Sequence, residues 1–208
     1  MLDGLNKAAT DRYWDVVARP IAGLGISPNQ VTLLGLALVL ANCAFYAWHR
    51  NHAVFGLLLA LTFAFDALDG ALARLTGRAS RFGGYLDAVV DRYQEIVVFL
   101  AIAWVNDYWG PAMLALTGSL LISYLKARAA IEVPIDNVKW PDLMERLERI
   151  VFLCLALVLD PLLQIWLEIT PGPLYYLLIL LAILTHATAI QRFFRARRMI
   201  ESQVEKNG

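Results

Sequence analysis

The sequence predicts an all-α integral membrane protein: six transmembrane helices preceded by an N-terminal amphipathic helix lying at the interface. Three observations carry that prediction. Of the 208 residues, 59% are hydrophobic and only 17% charged, where a soluble domain carries about a quarter charged residues. The apolar residues gather into six segments near the ~20 residues that a membrane helix needs. The basic residues fall almost wholly on one side of those segments.

The amphipathic element is residues Leu5–Arg19, where Leu5, Ala8, Ala9, Tyr13, Trp14 and Val17 alternate with Asp and Arg. That mixture suits a helix lying in the headgroup plane. The alternative is a solvated arm. The start of the chain lacks a basic stretch followed by an apolar run, so no cleaved signal peptide is expected. The spans follow as Val31–Trp48, Ala53–Leu75, Gly84–Val105, Pro111–Ala130, Leu143–Leu167 and Leu174–Phe194. The prolines are expected at turns and segment starts, leaving the spans as unbroken helices. One domain over residues 1–208 is expected, with a juxtamembrane segment 1–28, a six-helix bundle 29–198 and a cytoplasmic tail 199–208.

With the N-terminus cytoplasmic, 17 of the 18 Lys and Arg residues lie on the cytoplasmic side and Arg50 alone opposite. The positive-inside rule then puts both termini in the cytoplasm. Trp48, Trp104, Trp109 and Trp166 flank the outer ends, and Trp14 and Trp140 the inner side, as an interfacial aromatic belt requires. Cys43 and Cys154 sit in apolar runs without a metal-binding spacing, and read as small buried hydrophobes. His186 reads as a hydrogen-bonded packing residue, and His49 and His52 as interfacial. The zero net charge names no partner, and nucleic acid is not expected.

The chemistry is concentrated where charge ought to be absent. Asp66 and Asp69 are three apart on the second span, and Asp87 and Asp91 four apart on the third, so each pair shares a helix face. The short connection Thr76–Phe82 makes these helices antiparallel neighbours and brings the pairs together. Asp66 lies about 20 Å along its helix from Ala53, near the cytoplasmic end. Four carboxylates in one membrane pocket repel one another, and each is costly to bury. A hard divalent cation relieves both problems, Mg²⁺ or Mn²⁺ being the expected species, and four acids can support two ions. Pairing with Arg74, Arg78, Arg81 or Arg92 would explain one or two acids, not four. Gly70, Ala73, Gly77, Gly83 and Gly84 leave a notch beside the acids, with Arg74 able to bond a phosphate.

These residues match the pattern D-x2-D-G-x2-A-R-x8-G-x3-D-x3-D at Asp66, Asp69, Gly70, Ala73, Arg74, Gly83, Asp87 and Asp91. The run resembles the signature of the CDP-alcohol phosphotransferases, and the likeness in helix organisation extends over nearly the whole chain. The resemblance implies that Asp66, Asp69 and Asp87 hold one metal ion and Asp66, Asp87 and Asp91 a second. It implies that Asp91 is the general base toward an acceptor hydroxyl, with CMP leaving. Gly70, Ala73, Arg74, Ser80 and Gly83 are implied contacts of the CDP-lipid. Asn29, Gln30, Val31 and Thr32 are further ones; from the residues alone, that stretch reads equally well as a plain helix start behind Ser27-Pro28.

A second basic cluster comprises Lys126, Arg149 and Arg192, at the cytoplasmic ends of the last three spans. Physics leaves two readings level: a phosphate site, or attraction to anionic headgroups. The surrounding segments resemble the phosphatidylinositol-phosphate synthase and archaetidylinositol-phosphate synthase branch, which places these three residues on the acceptor phosphate. Inositol 1-phosphate is then the implied acceptor, with glycerol 3-phosphate or another polar alcohol as the alternative. Ala130 departs from that branch's glutamate, and Glu132–Pro141 from its glycine-rich loop. Expected partners are therefore a CDP-diacylglycerol-type lipid, a phosphorylated polar alcohol, membrane lipids and a second copy of the chain. A cation transporter is the remote alternative, but it needs polar groups running outward, where spans two and three are almost purely apolar. An intramembrane prenyltransferase would also use paired Asp motifs with Mg²⁺, but has no need of the glycine-lined notch.

Overall fold

The computed structural model describes residues 7–23, 25–133 and 143–207. Seven helices account for nearly all of them: α1 Lys7–Ala22, α2 Pro28–His49, α3 His52–Thr76, α4 Arg81–Asn106, α5 Trp109–Glu132, α6 Arg146–Leu167 and α7 Pro173–Asn207. No strand occurs among the described residues. Leu5, Trp140 and most of the 132–141 connection lie outside them.

Local chemistry sets the boundaries. Ser27 caps α2 reciprocally: its hydroxyl accepts from the Gln30 N–H at 3.3 Å, and Gln30 Oε1 accepts from the Ser27 N–H at 2.8 Å. Pro28 opens the helix, where a missing N–H costs nothing. Asn51 caps α3 through the Val54 N–H, and Ser80 caps α4 through the Gly83 N–H at 2.9 Å. Between them, α3 ends at Gly77 with φ 64°, the left-handed cap that lets the chain reverse into α4.

Five helices are long and apolar enough to cross a membrane: α2, α3, α5, α6 and the first thirty residues of α7. The expected third span, α4, is 26 residues long but does not meet that test. Arg81, Asp87, Asp91, Arg92 and Glu95 all stand in its first 15 residues. Two expectations about helix continuity are also corrected. Pro161 stands inside α6 and Pro20 inside α1 rather than at a boundary. A proline is tolerated within a packed membrane helix when neighbouring groups take over the freed backbone. The last helix runs well beyond Phe194, because Arg195–Lys206 continues the helical pattern with polar residues that need no lipid.

The core collects Tyr46, Phe55, Leu59, Ile102, Leu157, Leu174, Leu178 and Leu181, all essentially inaccessible. In lipid, apolar burial does not drive helices together, so close backbone packing must. A Cβ on Gly56 would meet Leu157 Cβ at 2.8 Å, and one on Gly118 would collide with Thr185. These glycines let α3 reach α6 and α5 reach α7. Outward, Leu61, Trp104, Ile165 and Trp166 are more than two-thirds exposed, as lipid-facing residues are. A smaller cluster of Ala18, Val31, Leu68, Ala71 and Leu72 fastens α1 across α2 and α3.

Polar ties fix the two ends of the bundle. At one end His52 at the start of α3 bonds Asp160 on α6 at 2.5 Å and Asn106 at the end of α4 at 2.8 Å. Asn106 donates to Tyr46 Oη on α2, and Asp160 accepts from the Leu174 N–H of α7 at 2.7 Å. His52 is thus a hub joining helix ends rather than a merely interfacial side chain. His186 donates from Nε2 to the Leu114 carbonyl, 3.1 Å away, as a packing histidine should. Cys43 and Cys154 are buried and unbridged. The acids occupy the opposite end.

Candidate active site

Asp66, Asp87 and Asp91 converge as their helical spacing requires, each offering a carboxylate oxygen within 4.8 Å of the other two. Asp66 and Asp91 are buried, and Asp87 is half-buried. Asp69, the fourth acid of the motif, is turned toward α2: Thr32 Oγ1 donates to its Oδ2 at 2.5 Å, and the Gly70 N–H to its Oδ1 at 2.5 Å. The trio is a hard-oxygen donor set carried by two helices, which suits a divalent cation. A positive group already sits among these acids. Arg146, from the first turn of α6, bonds Asp66 Oδ2 at 2.8 Å and pairs with Asp91 Oδ1 at 2.5 Å. The residues therefore fit a metal centre by ligand chemistry, and a positive group among them shows that the site accommodates positive charge.

Gly35 on α2, which sequence reasoning did not single out, makes this packing feasible. A Cβ there would lie 2.8 Å from Asp66 Oδ1. Gln94 completes the cradle: its amide donates to Asp66 Oδ1 at 3.2 Å and its carbonyl accepts from Arg146 at 2.9 Å.

Of the residues expected to contact the CDP-lipid, Asn29, Ser80 and Gly83 meet at the start of α4. Gly83 lies under Ser80 Oγ and Asn29 Oδ1, which a Cβ would meet at 3.1 and 3.3 Å. That juxtaposition unites Asn29, Ser80 and Gly83 from separate segments. Gln30 serves the α2 cap, Thr32 reaches Asp69, and the Val31 side chain packs into the small core. Ala73 gives its carbonyl to the turn, accepting from the Arg78 N–H at 3.1 Å. Arg74 stands one turn beyond Gly70 and pairs with Asp15 of α1 at 3.1 Å.

Beside the acids opens a cavity of about 980 Å³ lined by Asp87, Asp91, Arg92, Ser123, Lys126, Glu145, Arg146, Arg149 and Arg192. The predicted trio Lys126, Arg149 and Arg192 thus shares one chamber with two of the acids. Arg149 is almost fully buried, bonding Glu95 Oε1 at 2.6 Å through Nη2 and at 3.2 Å through Nε. Arg192 donates to the Ile122 carbonyl. Arg92 bridges, with Glu95 Oε2 at 3.2 Å, Asp91 Oδ2 at 3.6 Å and the Ser123 hydroxyl. The floor of the chamber is therefore an ordered lattice of charge rather than a solvated basic patch. Glu95 and Arg146 were not assigned there from sequence. A glutamate in a membrane-depth helix is a signal that would have found Glu95, since such a charge demands a partner.

The chain is similar to known proteins over most of its length. The pattern of the CDP-alcohol phosphatidyltransferase family matches residues 25–193. An archaetidylinositol phosphate synthase from Pyrococcus horikoshii is 35% identical over 187 residues, covering 89% of this chain and 91% of that one. The crystal structure of Mycobacterium tuberculosis phosphatidylinositol phosphate synthase with CDP-DAG bound superposes with a TM-score of 0.75 at 26% identity, over 89% of this chain and 94% of that one. The structure of the same Mycobacterium enzyme in complex with manganese and citrate gives 0.73 at 26% identity, over 88% of each chain.

Proposed function

The chain belongs to the CDP-alcohol phosphatidyltransferase family, and from that premise we propose that it transfers a lipid phosphate group from CDP-diacylglycerol or a similar CDP-alcohol to inositol 1-phosphate, releasing CMP. The observation that carries the acceptor assignment is the single chamber in which Lys126, Arg149 and Arg192 stand beside Asp87 and Asp91. Inositol 1-phosphate held there by its phosphate presents its ring hydroxyls toward the acids. Relatives named for inositol-phosphate lipid synthesis support the same choice.

Asp66, Asp87 and Asp91 would hold one Mg²⁺ or Mn²⁺ ion, supported by the acid trio and by the manganese complex of the Mycobacterium enzyme, and Asp66, Asp69 and Asp87 would hold another, which the family resemblance supports. The ions supply charge neutralisation at the diphosphate and acidify the attacking hydroxyl. Asp91 takes the acceptor proton. Thr32 orients Asp69, and Gly35 leaves room for Asp66. Asn29, Gln30, Val31 and Thr32, with Gly70, Ala73, Arg74, Ser80 and Gly83, form the CDP-lipid side, Arg74 turning from Asp15 to a phosphate oxygen.

This integral membrane protein uses α4 as a sixth span, its acidic half packed on α2 and α5 and tied by side chains to α3 and α6. The chain is one domain, with α1 on the membrane surface, both termini and the site cytoplasmic, and two copies pairing as a homodimer. The basic asymmetry of the sequence supports the orientation, and the packing of half-buried Trp14 and buried Ala18 into the cluster with Leu68, Ala71 and Leu72 supports the placement of α1.

The deciding experiment offers labelled inositol 1-phosphate and glycerol 3-phosphate separately with CDP-diacylglycerol and follows CMP and lipid product. Product with inositol 1-phosphate is expected; product with glycerol 3-phosphate alone would overturn the acceptor assignment. Lys126→Ala should raise KM for inositol 1-phosphate by about 10-fold or more, the worth of one charge-assisted phosphate contact, while KM for the CDP-lipid stays constant. Gly35→Val should cost about 10²-fold in turnover, because it drives Asp66 from its position. A normal rate in Gly35→Val would show that Asp66 tolerates displacement.

A further inference from the structure

Arg146 belongs to both halves of the site. Its Nη2 reaches Asp66, Asp91 and the Gln94 carbonyl at 2.8, 2.5 and 2.9 Å, joining α3, α4 and α6. The same side chain lines the cavity with Lys126 and Arg192, and about 30% of it remains exposed. It is therefore tethered to the acids without being locked in the core. Arg149, one turn along the helix, has only 4% of its side chain exposed and bonds Glu95 twice.

Charge balance makes the Arg146 position exclusive. The motif's four carboxylates are matched by the charge of two divalent ions alone. A guanidinium kept among the same oxygens adds a like charge at close range in a low-dielectric setting, where repulsion is strong. A carboxylate oxygen that ligates an ion also loses lone-pair capacity for Arg146. Arg146 must then leave Asp66 and Asp91 as the ions arrive, and the chamber it already borders holds the phosphate-binding cations.

We propose that Arg146 couples the two sites: it neutralises Asp66 and Asp91 until divalent cations load, and loading releases its guanidinium to the acceptor phosphate. Arg146 thus contacts substrate directly once released, and the proposal rests on the metal and acceptor reading above. Linkage makes the coupling reciprocal, so acceptor phosphate must tighten metal binding by the same factor that metal tightens the acceptor.

The test uses full-length protein in detergent without CDP-lipid, so that no turnover occurs. Mn²⁺ binding is followed by loss of the free-ion electron paramagnetic resonance signal, with inositol 1-phosphate, with myo-inositol, or with neither. In the wild type, inositol 1-phosphate should tighten Mn²⁺ binding about 5-fold or more, the lower range of allosteric couplings, and myo-inositol should not. Arg146→Gln should bind Mn²⁺ more tightly than wild type when no acceptor is present, with the effect of inositol 1-phosphate falling below about twofold. Arg146→Lys, which keeps the charge on a stem one atom shorter, should show the same two changes in smaller measure. It serves alone if the glutamine variant does not fold. Unchanged or weaker Mn²⁺ affinity in these variants, or full coupling retained, overturns the proposal. Failure of the wild type to bind Mn²⁺ would instead strike the metal reading, and failure to bind inositol 1-phosphate in the presence of Mn²⁺ the acceptor reading.

Discussion

Asp91→Asn should lower CMP release by about 10³-fold, and excess Mg²⁺ or Mn²⁺ should not restore it. Asp91, like Asp87, borders the proposed acceptor chamber and lies within 4.8 Å of the other two acids of the trio, and it is the one that the family resemblance makes the base. It can therefore reach an acceptor hydroxyl and the metal ligands at once. General-base catalysis contributes about 10²–10⁴-fold, and an amide cannot take the proton. The same substitution removes one anionic ligand, so metal affinity should fall too. The two losses separate experimentally. A lost ligand is overcome by raising the ion concentration, whereas a lost base leaves the saturated rate low. Activity returning to within a few-fold of wild type at high Mn²⁺ would reduce Asp91 to a ligand and leave the proton without an acceptor. Asp87→Asn offers the contrast: as a ligand, it should respond strongly to added ion.

Why Asp91 could be singled out from sequence, and Arg146 could not, has a physical basis. Spacings of three and four within helices, with a short turn between them, dictate which side chains meet. Asp66, Asp87 and Asp91 were legible for that reason. Asp69 shares its helix face with Asp66, but Thr32 across the α2 crossing captures it, and helical periodicity does not describe crossings. Arg146 meets Asp66 across 80 residues of sequence and Arg149 meets Glu95 across 54. Those contacts depend on the rotation of α6 about its own axis, which packing at Gly56 against Leu157 and Cys154 sets.

Apolarity likewise pointed to six spans; α2, α3, α5, α6 and α7 meet the test of length and apolarity and α4 does not, because the residues that make the site make that helix polar. At the far end, Asp160 in an otherwise apolar run was a readable signal. A carboxylate there needs a partner, and His52 provides it from 108 residues away. What the sequence withheld was which of the few polar residues would arrive.

The Arg149–Glu95 pair provides the largest expected effect on stability, and it separates structure from chemistry within the acceptor site. Both side chains are nearly inaccessible, and the guanidinium bonds one carboxylate oxygen through two nitrogens while donating to the Met144 carbonyl at 2.9 Å. Removing either partner strands a buried charge, which costs about 3–5 kcal/mol. Arg149→Ala should therefore unfold far more readily than wild type in a denaturant titration in detergent. Replacing both residues with methionine removes the stranded charge and refills much of the space, so the double variant should recover most of that loss. Arg92 keeps its Asp91 and Ser123 partners in that background. Catalysis should not recover with stability. If Arg149 also contributes its charge to the acceptor phosphate, the double variant folds but has a KM for inositol 1-phosphate raised about 10-fold or more, with KM for the CDP-lipid unchanged. A double variant as stable as wild type and with normal acceptor kinetics would confine Arg149 to holding α6 against α4, and leave the phosphate to Lys126 and Arg192.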